Sequence, residues 1–141
     1  MELGHWVLGE NINFDKDAFG FIYEITNTVT NKKYIGKKQC ISKFKRKPLK
    51  GKKNKRVELK ESDWKEYTSS STELNDDIKK YGKEKFVFKI LKFCYSKWEL
   101  AYFEISEQIA KRVLLRNDYY NGIINVRIGR PPKNFLDKLE K

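Results

Sequence analysis

The chain is poor in the softer metal ligands. Among 141 residues it has two cysteines, Cys40 and Cys94, and one histidine, His5. A zinc site of the ordinary kind takes about four Cys or His ligands, so structural zinc is not expected. The cysteines form no CxxC pair. Two isolated cysteines suit a reducing compartment, where each behaves as a small buried hydrophobe. His5 lies in a segment expected to be mobile, and no role is assigned to it. Long apolar runs are missing, and the N-terminus has no signal-peptide pattern, so a soluble intracellular protein is expected. Acidic residues are outnumbered: 19 Asp and Glu face 31 Lys and Arg, for a net charge of +12. Such an excess favours a polyanionic partner, nucleic acid first and an acidic membrane surface second.

What is present suffices for a folded domain. Hydrophobic residues make up 39% and aromatics 14%, which argues against disorder, and the length suits one domain. GFIYEITNTVTNKKYIGK (20–37) opens with strand alternation, Phe21, Tyr23 and Ile25 against Ile22 and Glu24. Asn and Thr over 27–31 supply a turn, and residues 32–37 return as the second strand of a hairpin. Residues 42–61 change character. Lysine and arginine dominate, and Pro48 and Gly51 break any regular element. A basic loop is expected there, with at most a short helix before Pro48.

Order then resumes. Ser70 and Glu73 match a capping box, Leu74, Ile78 and Tyr81 share a helical face, and Gly82 can end that helix. KFVFKILKF places Phe86, Phe88 and Ile90 on one face and Val87, Leu91 and Phe93 on the other, as in a central strand covered on both sides. The longest helix runs over 96–116. Trp98, Ala101, Tyr102, Ile105, Ile109 and Val113 form its expected buried face, Leu100, Phe103, Ala110 and Leu114 a second stripe, with Glu104 and Gln108 in a polar row between them. A turn and short strand follow in YYNGIINVRIGR, then a polar tail. The order predicts an α/β (α+β) sandwich with a small three-stranded mixed sheet. Residues 1–19 form an N-terminal extension, 20–128 one domain carrying the basic insertion at about 42–61, and 129–141 a tail.

Gly20-Phe21-Ile22-Tyr23 followed by Tyr34-Ile35-Gly36 resembles the paired signature of the GIY-YIG nuclease family. One extra residue separates the glycine from the isoleucine in the first half, and the second half is intact. The segment SDWKEYTSSSTELNDDIKKYGKEKF and the closing YYNG are similar to the small phage and intron-associated branch, which includes homing-type enzymes. The resemblance covers roughly 20–125. It implies a metal-dependent DNA endonuclease acting on double-stranded or branched DNA in the cytoplasm of a bacterial or phage-infected cell. It also implies the site residues: Tyr23 to activate water with Tyr34 in support, Lys37 after the YIG, an arginine (Arg46, with Arg56 as competitor), Glu104 as the metal ligand, and Asn121 or else Asn125.

The chemistry asks for such groups. Phosphodiester cleavage needs an activated water, a Lewis acid and a cation near the phosphate oxygens. One carboxylate suffices for a single Mg²⁺ or Mn²⁺, because such ions keep most of their waters. A tyrosine is a poor base near neutral pH, and Lys37 and Lys38 with an arginine would lower its pKa by stabilising the phenolate. Nucleic-acid contacts are expected from Lys38, Lys43, Lys45, Lys47, Lys52, Lys53, Lys55 and Arg56, and from Arg127 and Arg130 in the tail. These contacts give affinity and salt dependence without sequence choice. Gly129-Arg130-Pro131 matches only the core of an AT-hook and is read as tail. Two other classes stay open: a non-catalytic nucleic-acid-binding protein, and an interaction module acting on a host protein through its basic face. Retention of the metal carboxylate favours the enzyme.

Overall fold

The computed structural model describes residues 3–46, 48–51, 53, 56–124 and 127–139, apart from the side chains of 43–46 and 56–58. Four strands form the main sheet. They are β1 (Trp6–Leu8), β2 (Gly20–Asn27), β3 (Lys33–Gln39) and β6 (Phe86–Cys94), in the order β1-β6-β2-β3. The β1–β6 pair is parallel and the others antiparallel, so the α+β class and the mixed sheet hold. The fourth strand is a correction. A three-residue strand is too short to display a period, and it is held by Trp6, whose ring meets those of Phe21, Tyr23 and Phe88 at 5.0, 5.1 and 5.7 Å. His5 is likewise fixed. It stacks on Phe88, with ring centroids 3.9 Å apart, and its Nε2 lies 3.0 Å from the Tyr67 carbonyl oxygen.

The β2–β3 hairpin forms where expected, and Asn27 closes its turn by accepting from the backbone N–H of Val29 at 2.9 Å. In β6 the register slips by one residue opposite Ile22/Tyr23. A single added residue exchanges the faces beyond it. Phe93 therefore joins the layer of Phe88 and Ile90 rather than that of Leu91.

The basic segment departs most from expectation. It contains β4 (Ile41–Arg46) and β5 (Arg56–Glu61), paired antiparallel in unbroken register as a separate two-stranded ribbon. The residues that broke the pattern, Pro48 and Gly51, stand between the strands. Gly51 takes φ +83° there, a backbone angle that suits glycine.

Helices cover both faces. α1 (Thr72–Tyr81) buries Leu74, with Ile78 and Tyr81 packed beside it. Its cap is Ser71, one residue beyond the expected Ser70. The Ser71 Oγ accepts from Leu74 N at 3.3 Å. On the opposite face lies α2 (Lys97–Ala110), followed by a 3-10 turn over Val113–Leu115. Its inward row is Leu100, Glu104 and Gln108, at i, i+4 and i+8. The row expected to be buried is only partly so: Val113 is buried, but Ile109 is 62% exposed and Tyr102 44%. Periodicity located the helix, but the side that packs was decided by backbone groups of β3 that needed partners. Trp98 and Phe103 are flanked instead by Phe135 of a short helix, α3 (Lys133–Leu139), in the expected tail. In place of a strand over 119–130, the described residues give a single bridge, Lys33 to Tyr119. Among the described residues no helix is long and apolar enough to cross a membrane.

Candidate active site

The hairpin register sets Tyr23 opposite Gly36 and Ile25 opposite Tyr34. Side chains alternate along a strand, so both tyrosines enter the layer on the α1 side, with ring centroids 6.2 Å apart. Gly36 is required there. A Cβ on it would lie 2.5 Å from the Tyr23 hydroxyl oxygen and 2.9 Å from Tyr34 Cε2. Gly20 is constrained in the same way, since a Cβ would meet the Lys38 carbonyl oxygen at 2.5 Å. A third tyrosine, Tyr67, stands edge-on to Tyr23 at 6.2 Å. Sequence reasoning missed it, although it lies inside the SDWKEYTSSS stretch.

Both phenols are shifted away from ionisation. Burial pushes the Tyr23 pKa well above its ordinary value, and Tyr34, Tyr67 and Glu104 push it the same way. Burial also raises Tyr34, with Ser70 pulling in the opposite direction. The expectation that cations lower the Tyr23 pKa is therefore overturned, because both lysines are engaged elsewhere. Lys38 Nζ is 2.7 Å from Asp63 and 4.1 Å from the Tyr67 ring centroid, and Lys37 Nζ is 3.8 Å from Glu104 Oε1.

Glu104 reaches this region from α2. Its side chain is 16% exposed, against 39% for Lys37. Burial raises its pKa, and Lys37 opposes the shift without cancelling it. Among the described residues it has no hydrogen bond of ordinary length. A partly buried carboxylate compensated by one long ion pair fits a hard divalent ion, which takes oxygen ligands. No group of three or more His, Cys, Asp or Glu among the described residues could hold a metal. Water and phosphate oxygens would have to complete the shell. Beside the pair lies a cavity of about 420 Å³ lined by Lys37, Lys38, Gln39, Ser42 and Leu100.

Asn121 is buried at the outer edge of β3. Its Oδ1 accepts from Ile35 N at 3.0 Å and its Nδ2 donates to Ile35 O at 2.8 Å, while Gln108 Nε2 donates to the same carbonyl at 2.9 Å. These two amides occupy the free edge between Tyr34 and Gly36. In the sequence Gln108 is marked only as one member of a polar row.

The profile of one family, described as "Putative endonuclease segE, GIY-YIG domain", matches residues 6–124. The chain belongs to the GIY-YIG nuclease family. No curated protein and no solved structure matches it. A nuclease domain implies a nucleic-acid substrate. The match begins at β1, inside what had been read as an extension.

Within this GIY-YIG domain, Tyr23, Tyr34, Lys37, Glu104 and Asn121 gather around β3. Arg46 and Arg56 are partners in the last pair of the ribbon. Lys43 and Lys45 also stand on β4. Lys53, Arg127 and Arg130 are exposed. Lys47, Lys52, Lys55 and Asn125 lie outside the described residues. The tail is partly tethered, since Trp98 Nε1 donates to Gly129 O at 2.9 Å. Burial raises both thiols, Cys40 and Cys94, to about 12, which leaves them protonated and inert near neutrality.

Proposed function

We propose that the chain is a DNA endonuclease that hydrolyses phosphodiester bonds with one Mg²⁺ or Mn²⁺ ion held by Glu104. The observation that carries this reading is the under-compensated Glu104 carboxylate beside Lys37, whose charge is also felt by Tyr23 and Tyr34. The ion, when bound, supplies a Lewis acid for charge developing on the phosphate. Glu104 must be ionised to hold it.

Lys37 is 39% exposed and beside the cavity, so its ammonium can meet a non-bridging phosphate oxygen. It takes the place first expected of Arg46, which stands at the outer pair of the ribbon. Tyr23 keeps its proton, so its hydroxyl orients the attacking water by hydrogen bonding, and Tyr34 supports it from the more open side. Asn121 and Gln108 act through the backbone. By fixing Ile35 they fix the strand that carries Tyr34 and Gly36.

A binding protein without catalysis, or one that engages a host protein, would gain nothing from an unbalanced, partly buried carboxylate. That charge costs stability wherever it is ionised. The test is incubation of supercoiled plasmid and branched duplexes with Mg²⁺, with Mn²⁺ and with EDTA. Nicking with either metal and none in EDTA is expected. Cutting that persists in EDTA would remove the ion from the reading.

A further inference from the structure

We propose that the β4–β5 ribbon is an arm that docks duplex DNA in its major groove beside the cleavage centre. This rests on the nucleic-acid substrate of the preceding reading and adds how the duplex is held. Charge is the first observation. Residues 41–61 contain 10 Lys and Arg against two acids, leaving 21 against 17 in the rest of the chain. Most of the net charge of +12 thus sits in this one segment. Lysines on exposed strands also deter edge-to-edge association, but a few charges suffice for that.

Shape is the second observation. The segment is a two-stranded antiparallel ribbon, paired from Ile41↔Glu61 to Arg46↔Arg56, and it has no third strand among the described residues. Six residues of strand extend about 20 Å. The major groove, about 12 Å wide, admits a two-stranded ribbon, whereas the minor groove is about 6 Å wide. Leu59 on β5 is 62% exposed, an apolar residue suited to a thymine methyl.

Attachment is the third. The root of the ribbon is tied to the end of β3. Ser62 N donates to Cys40 O at 2.9 Å and Ser62 Oγ to Gln39 O at 2.6 Å, while Cys40 N donates to Phe19 O at 2.8 Å. The cavity lined by Lys37, Lys38 and Ser42 joins this root to the Glu104–Lys37 pair. A phosphate backbone leaving the ribbon meets Lys37 on its way to the carboxylate. The ribbon therefore sets where along the groove the strand is cut.

The test reads binding of the full chain in EDTA to a short labelled duplex and to its single strand. A Lys43→Gln/Lys45→Gln/Lys53→Gln variant is compared with wild type and with the matching Lys→Arg variant, after melts show that all three fold. The glutamine variant is expected to bind duplex about tenfold or more weakly, with the slope of log affinity against log salt reduced by about two to three. The arginine variant should keep both. Methyl green, a major-groove ligand, should displace the protein, and netropsin, a minor-groove ligand, should not. Unchanged affinity and slope in the glutamine variant, displacement by netropsin instead of methyl green, or equal binding of the single strand would each overturn the proposal. Because the readout needs no metal, a chain that binds in this way and never cuts would sink the endonuclease reading and leave the ribbon standing.

Discussion

Glu104 carries a cost that the fold alone does not need. Burial raises its pKa, so the folded state favours the neutral carboxyl. For a group shifted in this direction, its contribution is greatest below the unfolded pKa and is lost as pH rises through the folded one. At neutral pH the ionised side chain therefore destabilises the protein. Glu104→Gln should melt higher than wild type near pH 7, and the gap should close on acidification through the Glu104 pKa. A variant that melts lower near pH 7 would mean that the Lys37 pair outweighs burial. The family resemblance calls for a glutamate on the long helix, and its polar row singles out Glu104. Tyr67 and Gln108 were not legible in the sequence. Each acquires its place only when distant chain meets β2 or β3, and no local period marks such a meeting.

At the scale of elements, β3 is the piece on which the site depends. It is the last strand of the sheet, and its outer edge would leave Ile35 without partners. Asn121 satisfies both of its backbone groups, and Gln108 shares the carbonyl. Asn121→Ala strands the buried Ile35 N–H, at a cost of about 1–3 kcal/mol. Chemical or thermal denaturation should show that loss. Cleavage should fall as well, while duplex binding through the ribbon stays near wild type. An Asn121→Ala protein as stable as wild type would mean that water replaces the amide. The hairpin, α1 and β6 were readable because alternation, capping residues and turn residues agree there. The ribbon was not, since a Lys/Arg-rich stretch broken by Pro48 and Gly51 offers no hydrophobic strand period. The inward face of α2 was misjudged because Gln108 in its polar row binds backbone rather than water.

The whole molecule divides into a nearly balanced body and a strongly basic arm, joined at the strand that carries the site. Composition alone announced a polyanionic partner, but only the fold shows that the charge is held out on a ribbon. The paired tyrosine signature announced the family, which the match over residues 6–124 establishes. The account rests at its centre on Glu104 acting as the metal carboxylate of a DNA nuclease. The most direct measurement is single-turnover cleavage of supercoiled plasmid with Mg²⁺ by wild type and Glu104→Gln, each at saturating protein with binding measured in parallel. The account predicts equal binding, with cleavage lowered by about 10²-fold or more in the variant, as for loss of a principal electrostatic group. Equal rates of cutting by the two proteins would contradict it and place the chemistry at another carboxylate.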